Sequence, residues 1–206
     1  MTPPPNSAAR RGRPGNDRDD VVIAAVSLFN IHGYEATSVG MIADKLGVSK
    51  SAIYHHVASK EELLADALDQ ALSALEAVLD DIEPVEARDH VDTLARVIRA
   101  TVRVLVDEIE PVTLLLRLRG NTDLERAALE RRRKFDRAVA ALVREADDAG
   151  ALRADIEPRA ATRLVFGMIN SITEWYKPGG PLGAEALGDL VVGLVFDGLL
   201  PRADAD

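Results

Sequence analysis

Residues 47–63 read GVSKSAIYHHVASKEEL, and the reading of this stretch decides the fold. Gly47 interrupts one apolar rhythm, and Ser49 stands where a helix cap stands, ahead of a segment running to about His56. Ser59 and Glu62 then have the S-x-x-E spacing of a capping box that opens another helix. The short helix between them carries Lys50, Ser51, Tyr54 and His55, with little apolar surface to bury. That polar side needs a reason other than the core.

The residues before it supply one. Val22, Val26, Phe29 and Gly33 follow a helical rhythm, with Gly33 as the stop. Thr37 or Ser38 caps a second helix, which puts Val39, Ile42, Ala43 and Leu46 on one face. Three short helices with a Gly at the second turn meet the needs of a helix-turn-helix. Ile42, Ala43 and Leu46 brace the third helix, while Val48, Ala52 and Ile53 hold it to the body. Lys50, Ser51, Tyr54 and His55 are then free to enter a major groove. Ser and Lys can read base edges, and Tyr, His and Lys can bond phosphate oxygens. Lys60 adds a cation beside the N–H groups that open the fourth helix, a pairing that favours phosphate. Tyr54 as a packing tyrosine stays open. Neighbouring His55 and His56 point about 100° apart on a helix and suit a shared metal poorly.

Composition sets the bounds. The 206 residues are 47% hydrophobic, 29% charged and only 4% aromatic, which suits helices better than sheets. The absence of cysteine excludes disulfides, thiolate zinc sites and cysteine nucleophiles. With no membrane-length apolar run and no signal peptide in MTPPPNSAARRGRPGND, the expected location is cytoplasmic. The net charge of -9 is unevenly spread. Residues 1–60 hold seven Lys/Arg against five Asp/Glu, and the rest hold 18 against 29. A phosphate-facing module joined to a phosphate-repelling body has this distribution.

The remaining helical patterns cover about 59–81, 88–109, 111–119, 122–149, 158–176 and 184–199, with Pro84 ending one segment and Thr122 to Glu125 forming another capping box. The expected fold is all-α with about nine helices. Residues 1–16 form a disordered arm, 17–60 a helix-turn-helix domain and 61–206 a helical effector-binding and dimerisation domain. Helices 158–176 and 184–199 are apolar on most faces, which points to a homodimer interface or to a deep core. In 122–149 the stripe Leu124, Ala128, Phe135, Ala138 or Val139, and Leu142 places Arg131 among apolar positions. A charge there needs a partner, either Glu174 or an anionic ligand. Arg117 and Arg119 precede this helix, and Arg132 and Arg133 fit a solvated face paired as Arg132 with Asp136.

Residues 21–63, with LF, GY, TS, IA, GVS, IYHH and SKEEL in order, resemble the N-terminal domain of the TetR (tetracycline-repressor) family. The usual aromatic is replaced by Val57. The resemblance implies a dimeric all-α repressor whose first three helices bind operator DNA and whose remaining helices bind a small inducer. Carried over by position, Thr37 and Ser38 contact backbone phosphate, and Lys50 and Ser51 approach bases behind their cap Ser49. Tyr54, His55 and Lys60 hold the phosphates. Arg10, Arg11 and Arg13 either follow a minor groove or keep the chain soluble. RLRGNT, ERRRKFDR and GMINSITEWYKPGG also resemble a subgroup that responds to acyl-CoA thioesters. That resemblance implies an apolar cavity with arginines at its mouth, using Arg117, Arg131, Phe135, Asn170, Glu174 and Trp175. Trp175 fits a packing role beside Pro178 equally well.

The expectation is therefore a dimeric, ligand-responsive repressor of palindromic operators, with no cofactor, no metal site and no enzymatic activity. The alternative is a DNA-binding regulator whose C-terminal domain docks a protein partner instead of a small molecule.

Overall fold

The computed structural model describes residues 17–80, 82 and 90–199; the Arg10, Arg11 and Arg13 arm and Pro84 lie outside the described residues. Among those described, the chain forms nine α-helices and no strand. They are α1 (Arg18–His32), α2 (Val39–Leu46), α3 (Lys50–His56), α4 (Lys60–Asp80), α5 (His90–Asp107), α6 (Ile109–Arg117), α7 (Asp123–Asp148), α8 (Pro158–Trp175) and α9 (Ala184–Leu199). The chain divides into two compact units, Met1–Leu63 and Leu64–Asp206. No helix among the described residues is long and apolar enough to cross a membrane.

In the first unit each helix starts on a local signal. Asp17 and Asp20 form a capping box at α1, Ser38 accepts from the Met41 amide at 3.3 Å, and Ser49 accepts from the Ala52 amide at 3.2 Å. Ser38, not Thr37, is thus the cap of α2. Gly47 ends α2 in the left-handed region at φ 68°, where a side chain would be strained. Val21, Ala25, Val26 and Phe29 of α1 are buried with Ile42 and Ala43 of α2 and Ile53 of α3.

The second unit is organised around α5, which packs against α6, α7, α8 and α9. Its Leu94, Val97, Ile98, Val102 and Leu105 are all buried. The second capping box departs from the expected pattern. Thr122 caps α7, but the buried Glu125 carboxylate accepts the Gly120 and Asn121 amides, both at 2.8 Å. The carboxylate therefore reaches the turn before the cap and fixes the approach to α7. The buried stripe of α7 also differs: it runs Ala128, Phe135, Val139, Val143 and Ala146, with Leu124 and Leu142 only half-buried. A straight 3.6-residue helix drifts off the seven-residue spacing used to extrapolate it. On α8 and α9, Leu164 is 73% exposed and Leu194 68%, with Leu190 also exposed.

Candidate nucleic-acid interface and effector cleft

Helix α3 has seven residues, and Ile53 is its one buried side chain. Full burial of one isoleucine is worth roughly 2 kcal/mol, too little to fix a helix in orientation. Polar contacts supply the rest. Arg18 of α1 donates from Nη1 to the carbonyl of His56, the last residue of α3, at 2.7 Å. Its Nη2 donates to Glu62 Oε1 at 2.7 Å. Glu62 Oε2 accepts the Ala58 amide at 2.6 Å. This amide first and Arg18 second hold the Glu62 carboxyl below the usual range. Ser59 caps α4 through the Glu62 amide at 3.1 Å.

The outward side of α3 carries Lys50, Ser51, Tyr54 and His55, all exposed, Tyr54 at 54%. Ser38 and Ser49 are exposed at the caps of α2 and α3. Lys50 lies back over Gly40, close enough that a Cβ there would meet its Cε at 2.7 Å, with the Ser38 hydroxyl beside it. The small side at position 40 lets Lys50 and Ser38 share one surface.

Two expected contacts are placed differently. Thr37 is 1% exposed, and its Oγ1 lies 2.8 Å from the Gly33 carbonyl and 3.2 Å from that of Leu28. Its hydroxyl ties the α1–α2 turn together and does not face a phosphate. Lys60 is half-buried; its Nζ donates to the carbonyls of Tyr34 at 2.8 Å and Thr37 at 3.0 Å and sits 4.1 Å from the Tyr34 ring centroid. Two of its three donors are committed inside the unit.

In the second unit Arg131 finds neither Glu174 nor an open site. Its Nε and Nη2 donate to the two oxygens of Glu76 at 2.9 and 2.6 Å, and Nη1 donates to Asp69 at 2.7 Å. Ser73 lies 3.3 Å from Nη2. Asp69, Ser73 and Glu76 form one face of α4. Arg131 is therefore a clasp between α7 and α4, with each of its three guanidinium nitrogens donating to a carboxylate of α4. These bonds hold the Glu76 carboxyl below its ordinary range.

A cleft of about 480 Å³ lies between α7 and α8. Arg132, Arg133 and Arg137 line it from α7, and Arg159 and Arg163 from α8, with Asn170 at one end. Arg133 and Arg137 pair with Glu130 at 3.6 and 2.7 Å. Arg159 and Arg163 have no ion pair among the described residues. Asp136 is the one carboxylate lining the cleft, and burial raises its pKa against the opposing pull of Arg132 and Arg137. Thr162 and Phe166 also line a neighbouring apolar crevice, made with Leu94, Ile98, Val139 and Val195, whose space is only about 20 Å³.

Of the residues expected to bind an effector, Asn170 lines this cleft, and buried Phe135 stands 5.9 Å from Phe166, centroid to centroid. Arg117 ends α6, while exposed Glu174 and Trp175 end α8; none of the three lines it. Arg132 and Arg133, expected on a solvated face, line the cleft together with Arg137 of the ERRRKFDR stretch and with Arg159 and Arg163, which no sequence motif singles out. The spacing of Arg159, Arg163, Gly167 and Asn170 along one face of α8 was the available signal.

Residues 22–67 match the family model for bacterial regulatory proteins of the tetR family, and residues 87–199 match the tetracyclin repressor-like C-terminal domain. The HTH-type transcriptional repressor KstR2 of Mycolicibacterium smegmatis is 28% identical over 194 residues, covering 91% of this chain and 92% of that protein. The crystal structure of SCO3833, a TetR-family member from Streptomyces coelicolor A3, superposes with a TM-score of 0.79 at 48% identity, covering 88% and 91% of the two chains. AibR in complex with isovaleryl coenzyme A and operator DNA shares the fold, with a TM-score of 0.69 at 24% identity over 87% of this chain and 97% of that one.

Proposed function

Because the chain belongs to the TetR family of DNA-binding transcriptional repressors, we propose that it is a homodimer that grips a palindromic operator through α3 and releases it when an acyl-CoA-like effector binds the second unit. The observation that carries the reading is the exposed Lys50, Ser51, Tyr54 and His55 face on a short helix held by its flanks. Lys50 and Ser51 read base edges, while Ser38, Ser49, Tyr54, His55 and the remaining donor of Lys60 meet phosphates. The exposed Leu164, Leu190 and Leu194 of α8 and α9 support pairing of two copies through these helices. Two recognition helices reading half-sites about one helical turn apart then multiply the modest specificity of one.

The five arginines of the α7–α8 cleft suit a ligand with several phosphates, and an apolar tail would have to open the crevice that meets the cleft at Thr162 and Phe166. Such a ligand lowers operator affinity only if it binds the non-DNA conformation better; a tenfold effect requires about 1.4 kcal/mol of coupling. The small volume of the crevice favours a second reading, in which this surface docks a protein and not a small molecule.

The test is anisotropy of a labelled palindrome from the gene's own upstream region, titrated with a panel of acyl-CoA thioesters. Binding followed by release with one micromolar thioester is the expected result. Binding that no thioester disturbs leaves the repressor and moves the effector role to the second reading. Absence of any DNA binding overturns both.

A further inference from the structure

The DNA-reading unit contains a cation that faces no proposed DNA contact and is nonetheless held at three points of the fold. Arg18 stands in the first turn of α1, bonds the terminal carbonyl of α3 at His56, and bonds Glu62 in the first turn of α4. We infer that Arg18 is a positioning residue for operator recognition: it fixes the tilt of α3 by anchoring its C-terminal end to α1 and α4. This rests on the reading of α3 as the recognition helix.

The physical grounds are local. The last carbonyls of a helix have no partner within it, and a cation there satisfies one of them and complements the negative end of the helix dipole. The N-terminal end of α3 is fixed by the Ser49 cap, and its middle by Ile53. Without Arg18 the C-terminal end, where Tyr54 and His55 stand, keeps the Val57 amide bond to Ile53, the burial of Val57 and the Ala58 amide bond to Glu62. Glu62 adds a second constraint. Its carboxylate holds the Ala58 amide as well as Arg18, so the α3–α4 turn and the Arg18 bridge are built on one group. Lys60, two residues earlier, ties the same first turn of α4 to the α1–α2 turn. The beginning of α4 therefore sets the position of both ends of the helix-turn-helix, and α4 is the helix common to both units.

A base-reading helix tolerates little displacement, whereas non-specific attraction to phosphates does. A positioning role and a phosphate-contact role thus differ in what their loss removes. The experiment uses the full chain and a duplex that the wild-type protein enriches from a randomised pool, with a scrambled duplex as control. Arg18→Gln, Glu62→Gln and the double variant are compared by anisotropy over a salt series. Each single change is expected to weaken the enriched duplex by about tenfold, as for a lost charge-assisted bond, with the double variant no weaker than the worse single one. Affinity for the scrambled duplex and the salt slope stay at wild-type values, and Arg18→Lys, which keeps the charge but not the fork, recovers part of the loss. Wild-type discrimination in both Arg18→Gln and Glu62→Gln would overturn the proposal. So would a salt slope reduced by about one contact in Arg18→Gln, which would make Arg18 a phosphate ligand. If Arg18→Gln does not fold, Glu62→Gln and Arg18→Lys carry the same comparison. A wild-type protein that enriches no sequence would overturn this inference together with the DNA-reading assignment.

Discussion

Arg131 and Glu76 meet edge to edge, two guanidinium nitrogens on two carboxylate oxygens at 2.9 and 2.6 Å, across the space between α7 and α4. Asp69, two turns along α4, takes the third nitrogen. The clasp is a third to two-thirds exposed, so solvent screens much of its Coulomb energy. Its value lies in fixed geometry: a bidentate fork permits one relative placement of the two side chains.

The clasp has a pH signature. Glu76 is held below its ordinary pKa of 4.5 in the folded chain. Its contribution is therefore present above the ordinary value and disappears as pH falls through the lowered folded value. Glu76→Gln is expected to cost about 0.5–1 kcal/mol in urea unfolding at pH 7. At a pH below the lowered folded value, the two proteins should unfold at the same urea concentration. An equal gap at both pH values would remove the clasp as a source of stability.

Thr37 separates a structural hydroxyl from a DNA contact. Thr37→Val keeps the shape and leaves the Gly33 and Leu28 carbonyls without their shared donor. The expected loss is about 1–2 kcal/mol in a thermal melt. At a temperature where both proteins are folded, operator affinity should be unchanged. A weakened operator complex with an unaltered melt would return Thr37 to the phosphate contacts.

The exposed face of α3 predicts two kinds of loss. Tyr54→Ala should weaken binding to enriched and scrambled duplexes alike and leave the preferred sequence as it was. Lys50→Ala and Ser51→Ala should also change that preference, with about 1–3 kcal/mol of discrimination lost at a base each one reads. Repeating the selection from the randomised pool with each variant measures this directly. Wild-type enrichment by all three would move recognition away from α3.

The apolar faces of α8 and α9 predict the assembly. Leu164→Glu with Leu194→Glu places charges on two exposed leucines and leaves the buried residues of these helices untouched. Sedimentation should report a dimer for the wild type and a monomer for the variant, with the α-helical circular dichroism retained. Operator affinity should fall by at least tenfold, because one half-site contact is lost. A variant that still sediments as a dimer would place the interface on other helices.

The helices were legible because their signals are short in sequence. Ser38, Ser49 and Ser59 each accept an amide three residues on, and the apolar residues that fill the first unit recur at three and four. The order of such signals along residues 21–63 carried the family, and with it the exposed face of α3. Helix spacing could even mark Arg131 as a charge in need of a partner.

The partner itself was out of reach. Glu76 lies 55 residues from Arg131, and nothing in the periodicity of α7 distinguishes it from Glu174. Thr37 and Lys60 looked like surface donors beside a cap and a helix start, and only folding put carbonyls of the α1–α2 turn around them. The arginine cleft was scattered as two unremarkable helix faces until α7 and α8 packed together. Local hydrogen bonds and apolar periods act between near neighbours, so the amino-acid sequence determined the helices, their caps and the exposed polar face of α3. Long polar side chains choose among many groups within reach, and only the tertiary structure decided which were close enough to bond.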